Sequence, residues 1–157
     1  MKKLNEYINE ALALGKGIRY QFQPKTTADL KELVKILVRE RGRKAYLNDI
    51  DTSKITNMDS LFKDIFPLFN GDISKWDVSN VTSMKNMFEQ CHNFEGKGLN
   101  NWDVSNCENF YSTFAFCDAL ETDNIEEWGN IIKPSADIQR MFSPKNRKPS
   151  WYKEQYK

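Results

Sequence analysis

The chain holds a single histidine, three cysteines and no long apolar run. Each scarcity removes a class of function. His92 stands alone beside Cys91, so no H-x-x-x-H pairing exists, and the cysteines show no C-x-x-C spacing. A zinc centre is therefore not expected. No stretch approaches the ~20 apolar residues that span a bilayer. No G-x-S-x-G elbow, P-loop or dinucleotide fingerprint occurs, and His92 has no evident triad partners. The expectation is a non-enzyme without catalytic residues, metal, cofactor or membrane partner. The start, MKKLNEYINEALALGKG, has Asn5, Glu6, Asn9 and Glu10 interrupting its apolar positions. It reads as an amphipathic helix rather than a secretory signal, so a cytoplasmic protein is expected.

What is present favours one folded domain. Of 157 residues 39% are apolar and 13% aromatic, enough to bury a sizeable core and to exclude wholesale disorder. The net charge of +1 conceals a segregation. Residues 1–46 carry +6, residues 47–133 carry −9 and residues 134–157 carry +4. An acidic body thus lies between basic ends.

That body repeats. ISKWDVSNVTSMKNMF at 73–88 and LNNWDVSNCENFYSTF at 99–114 are offset by 26 residues, with LNDIDTSKITNMDSLF at 47–62 one period earlier. IEEWGNIIKPSADIQRMF, from 125, follows with two extra residues before its closing Met-Phe. Apolar columns run through the units: Leu47, Ile73, Leu99 and Ile125; Ile50, Trp76, Trp102 and Trp128; Met58, Met84 and Phe110; Phe62, Phe88, Phe114 and Phe142. Ile65, Cys91 and Cys117 form another, as do Leu68, Phe94 and Leu120. Because the tryptophans alternate with Ile50, they read as core residues. The cysteines exchange with Ile65 and Val81, so they read as small buried hydrophobes.

Within each unit the first half, Leu/Ile-x-x-Trp-x-Val, has strand spacing, and a polar Ser-Asn turn follows. The second half, Val81, Met84, Met87, Phe88 and Cys91, predicts a short helix with one buried stripe, Thr56 and Thr82 serving as N-caps. The pattern W-D-V-S-N-V-x-x-M-x-x-M-F, from Trp76 to Phe88 and in weaker form from Trp102 to Phe114, resembles the BspA-like leucine-rich repeats. These occur in bacterial surface proteins and mycoplasma lipoprotein-associated repeat proteins, with related short forms in bacteria and phages. The resemblance implies an interaction role. It also implies an α/β, leucine-rich-repeat-type solenoid of about four 26-residue strand-turn-helix units with a helical N-terminal cap.

The expected organisation is a single domain in three parts. Residues 1–46 form the N-terminal cap, comprising a helix over 3–14, a short strand over 18–23 and a helix over 26–42. For the second helix, Thr26 or Thr27 is the N-cap, Leu30, Leu33, Val34 and Leu37 share a face, and Gly42 ends it. Residues 47–142 form the repeats. Residues 143–157 form a basic tail or cap that either packs Trp151 and Tyr152 over the last repeat or stays mobile.

Two readings of function follow. In the first, another protein binds a sheet face carrying Asp49, Asp51, Lys75, Asp77, Asn101, Asp103 and Glu127. The carboxylates of Asp51, Asp77 and Asp103 have a second, local use, accepting hydrogen bonds within their own D-x-S turns. In the alternative, the acidic body occupies a basic groove of a nucleic-acid-processing host-defence complex, as a phage-type, anti-CRISPR-like inhibitor. Nucleic acid itself is not an expected partner, since the acidic body repels phosphate.

Overall fold

Helix formation begins where capping and packing agree. The computed structural model describes residues 22–63 and 67–153. The helix expected over 3–14 and all but the end of the strand expected over 18–23 lie outside those residues. The helix expected over 26–42 forms as α1, Thr27–Arg41. The Thr26 hydroxyl accepts from the Asp29 N–H at 3.1 Å, and the Asp29 carboxylate accepts from the Thr26 N–H at 3.2 Å. This reciprocal cap is worth about 1 kcal/mol. Burial of Leu30, Leu33, Val34, Leu37 and Val38 is worth about 1.5–3 kcal/mol per side chain. Packing therefore decides that the helix exists, and the cap decides where it starts. At the other end the Gly42 N–H donates to the Val38 carbonyl at 2.9 Å. The Thr27 hydroxyl donates to the Asn57 carbonyl at 2.7 Å, tying α1 to the first repeat.

Beyond α1 the expected α/β leucine-rich-repeat solenoid does not form. Among the described residues the remaining helical segments are 3-10 pieces, Leu99–Asn101 and Thr122–Asn130. Among the described residues parallel pairing occurs only as isolated bridges, with no continuous sheet. The apolar residues of each unit are instead joined by successive i→i+3 turns. Trp76 N–H donates to Ile73, Val81 to Val78, Met87 to Met84, Cys91 to Phe88 and Phe94 to Cys91. Each such bond links two inward-pointing residues, so the side-chain spacing of three is that of a chain of turns. An α-helical stripe would need steps of four as well.

The expected assignment of the two halves is overturned with it. Where strands were expected, Ile50, Trp76 and Trp102 close turns onto Leu47, Ile73 and Leu99. Where helices were expected, the units hydrogen-bond to one another. Met58, Ser60 and Phe62 N–H groups donate to Ser83, Lys85 and Met87 carbonyls. Met84, Asn86 and Phe88 donate to Asn109, Tyr111 and Thr113, and Phe110, Ser112 and Phe114 donate to Asp137, Gln139 and Met141. Bridges Asn57↔Ser83, Ser83↔Asn109 and Asn109↔Asp137 mark this register. The rungs do not merge into a sheet because Ser60, Asn86, Ser112 and Arg140 each sit at φ between 52 and 56°. Such left-handed residues break an extended strand. Thr82 does not cap a helix; its N–H and hydroxyl both donate to the Thr56 carbonyl.

Aromatic side chains fill the interior in files. Phe62, Phe88, Phe114 and Phe142 stack at successive centroid distances of 5.2, 5.6 and 5.8 Å. Trp76, Trp102 and Trp128 stack at 6.4 Å each. One column differs from expectation: Leu68 is 50% exposed, and Phe69 takes the inward place, stacking on Phe94 at 5.9 Å. The end of the chain is docked. Trp151 lies against Gly129, where an added Cβ would meet the indole Cγ at 2.4 Å, and Tyr152 meets Phe142 edge-on at 4.9 Å.

Candidate functional site

The residues expected to bind a partner flank the tryptophan file, one set per repeat. The Asp51 carboxylate accepts from the Ser53 N–H at 3.0 Å and hydroxyl at 2.7 Å. Asp77 does the same with Ser79 at 3.0 and 2.6 Å, and Asp103 accepts from the Ser105 N–H at 3.0 Å. Bonds from the Ser105 hydroxyl and amide hold the Asp103 carboxyl below the ordinary carboxylate range. Asp72 adds a fourth such turn with Ser74. Burial pushes its carboxyl up, but the Ser74 hydroxyl and amide bring it below its usual value. These carboxylates fold the turns on which they stand.

Asp49 is occupied differently. Its two oxygens take the Arg41 guanidinium at 3.0 and 2.8 Å, pinning the end of α1 to the first repeat. The Lys75 N–H donates to the Asn48 side chain at 2.9 Å, leaving the Lys75 side chain exposed. Asn101, Asp103 and Glu127 are exposed too, and Glu127 accepts from the Asn130 amide at 2.9 Å. The register therefore brings Asp49, Lys75, Asn101 and Glu127 into one file. Asp51, Asp77 and Asp103 form the neighbouring file. Between repeats, Asn80 and Asn106 side chains donate to the Ser53 and Ser79 carbonyls at 2.9 and 2.8 Å, which fixes the face as a rigid array.

A second surface escaped the sequence reading. A groove of about 650 Å³ crosses the repeats, with Lys63, Tyr111, Phe116, Arg140, Phe142 and Tyr152 among its walls. Lys63 and Glu89 pair at 2.8 Å at one end. The Tyr111 ring has Lys85 Nζ 5.5 Å and the Arg140 guanidinium 6.0 Å from its centroid. Phe116 is 49% exposed and held at φ 62°. One signal was available in the sequence: Phe116 falls 26 residues after the polar Gln90. Its left-handed backbone was not legible there.

The other reactive groups are spent structurally or isolated. Cys91, Cys107 and Cys117 are buried thiols outside any disulfide, and burial pushes the Cys107 thiol up to about 12 and the Cys117 thiol higher than its usual value. His92 Nδ1 lies 2.6 Å from Asp118, a pair between adjacent repeats on an exposed edge. Among the described residues no three His, Cys, Asp or Glu side chains converge as a metal-ligand set. No helix among them is long and apolar enough to cross a membrane.

A family model described as "Mycoplasma protein of unknown function, DUF285" matches residues 30–151, from α1 through the docked Trp151. The chain belongs to the DUF285 family. No curated protein and no solved structure matches the chain. The DUF285 match thus takes in both surfaces, the file of D-x-S turns and the groove.

Proposed function

We propose that this DUF285 chain is a non-enzymatic protein-binding module, a short relative of the BspA-like repeat proteins that works in the cytoplasm. One observation carries the reading. On the D-x-S face the side chains that fold the turns recur, whereas the file beside them changes from Asp49, which is part-buried under Arg41, to the exposed Lys75, Asn101 and Glu127. A fixed scaffold presenting a variable row of polar side chains is suited to recognition. The buried thiols suit a reducing compartment. The test is affinity capture from cells that express the protein, comparing wild type with the Lys75→Ala, Asn101→Ala, Glu127→Ala triple variant. A discrete protein retained by wild type and lost from the variant supports the reading. Equal capture by both acquits this face.

A second reading rests on charge. Among the described residues no lysine or arginine pairs with Asp51, Asp77 or Asp103, and the body around them is strongly acidic. In this reading the body fills a basic, nucleic-acid-binding groove of another protein. Such a complex dissolves at moderate salt, because exposed charges more than ~8 Å apart are screened at physiological ionic strength. A salt-insensitive complex rejects it.

A further inference from the structure

The ladder of inter-repeat hydrogen bonds stops with donors to spare. Residues 58, 60 and 62, then 84, 86 and 88, then 110, 112 and 114 each give three N–H groups to the following repeat. In the last repeat the same register reaches Ile138, Arg140 and Phe142. Among the described residues these three N–H groups have no hydrogen-bond partner. The next position in the register, after Gln90 and Phe116, is Pro144, which has no N–H and closes the row. The row is thus three donors long, spaced at alternate residues, and Gln139, Arg140, Phe142 and Ser143 of this edge also line the groove.

At the start of the stack the Thr27 hydroxyl of α1 takes the Asn57 carbonyl, the first acceptor of the same register. The chemistry around the open edge selects its occupant. Residues 137–153 contain five Lys and Arg against one acid, Asp137, whose carboxylate accepts from the Gln139 N–H, while Arg147 pairs with Asp123. Arg140 is exposed and forms no ion pair among the described residues, and exposed Phe116 stands in the adjoining groove.

We propose that the 137–143 edge docks an acidic segment of a partner protein, which adds one further parallel rung to the ladder, kinked at its middle as the repeats are at Ser60, Asn86, Ser112 and Arg140. Carbonyls at alternate positions of the segment accept from Ile138, Arg140 and Phe142, carboxylates on its outer face meet Arg140, and an apolar side chain rests on Phe116. Main-chain bonds set the direction and register, and the side chains set the preference for acid. This surface is separate from the D-x-S face and stands whether or not that face binds a partner.

The probe is a synthetic peptide of about nine residues alternating glutamate and valine around one phenylalanine, long enough at ~3.3 Å per residue to pass all three donors. Its lysine-for-glutamate counterpart is the charge control. Binding is read by fluorescence polarisation, and the 138, 140 and 142 amides by hydrogen exchange in NMR. The acidic peptide is expected to bind, to slow exchange at those three amides, and to bind about ten-fold more weakly to Arg140→Glu. Because Arg140 is exposed, the variant should melt with wild type, and a circular-dichroism melt checks this. The proposal is overturned if the acidic peptide does not bind at millimolar concentration, if it binds while the three amides stay unprotected, or if the lysine peptide binds as well. Tighter binding of a short oligouridylate overturns it in favour of nucleic acid. Protection of the same amides on concentrating the protein alone overturns it in favour of self-association.

Discussion

Each indole of the interior file both fills space and satisfies a carbonyl. Nε1–H groups of Trp76, Trp102 and Trp128 donate to the carbonyls of Leu47, Ile73 and Leu99 at 2.9, 3.1 and 3.0 Å, one repeat back. Trp151 donates to Ile125 at 3.0 Å and ends the series. Trp102→Phe keeps most of the ring but strands a buried acceptor, so it is expected to cost about 1–3 kcal/mol in urea unfolding. Trp102→Ala adds a cavity and is expected to cost about 3–5 kcal/mol. A negligible cost for Trp102→Phe would refute the hydrogen-bonding role. The cysteines behave as hydrophobes. With Cys107 raised to about 12 and all three thiols buried, a disulfide reagent at mildly alkaline pH should label none until the protein unfolds. Asp103 is ionised more readily in the fold than in the unfolded chain. Its depressed value makes a contribution present above the ordinary carboxylate pKa of ~3.9 and lost as pH falls through the folded value. Ser105→Ala should raise the Asp103 midpoint in a carboxyl-carbon NMR titration. The stability gap between variant and wild type should be open at neutral pH and shrink on acidification.

Elements in this protein differ in what makes them. α1 is a conventional amphipathic helix, and every feature used to expect it, from the Thr26 cap to the Leu30, Leu33, Val34 and Leu37 face and Gly42, is in place. Thr26→Ala should cost about 1 kcal/mol, since one capping bond goes while the packed face remains. The repeats have no element that is stable by itself. Their backbone groups find partners about 26 residues away, and their apolar spacing serves both a helix stripe and a chain of turns. Local pattern alone could not choose between these. Asp, Asn, Ser and Thr spacers tip the balance, because their side chains bind nearby backbone and compete with helix. Gly98 shows how tightly the repeats approach. At φ 81° its missing Cβ would stand 2.2 Å from the Ser74 Cβ. Gly98→Ala should destabilise by well over the ~1 kcal/mol that left-handed strain costs, whereas Gly42→Ala, with open space around it but φ 80° and ψ −177°, should show only the roughly 1–3 kcal/mol strain of a backbone region reserved to glycine.

For the molecule as a whole the docked end is the feature to probe. Trp151 needs the bare backbone of Gly129, so Gly129→Ala and Trp151→Ala disrupt one contact. Trp151→Ala should cost about 2 kcal/mol. The pair should be non-additive in thermal unfolding by at least ~0.5 kcal/mol, and strict additivity would show that the tail is not held there. Charge is also arranged at this scale. Ion pairs Lys63–Glu89 and Lys133–Glu108 and the His92–Asp118 contact each join adjacent repeats, while the central body is acidic and residues 134–157 are basic.

The sequence by itself determined the 26-residue period, the inward columns of tryptophan and phenylalanine, the burial of the cysteines and the whole of α1. All of these rest on side-chain hydrophobicity and on caps within four residues of their partners. Tertiary structure decided which half of each unit carries the inter-repeat bonds, that Phe69 and not Leu68 turns inward, and that Phe116 is left exposed over a groove. It also decided that, among the described residues, three N–H groups remain unpaired at the final rung. Those outcomes depend on backbone partners one repeat away and on left-handed residues such as Ser60 and Arg140, whose conformation is imposed by the neighbouring repeat rather than by their own side chains.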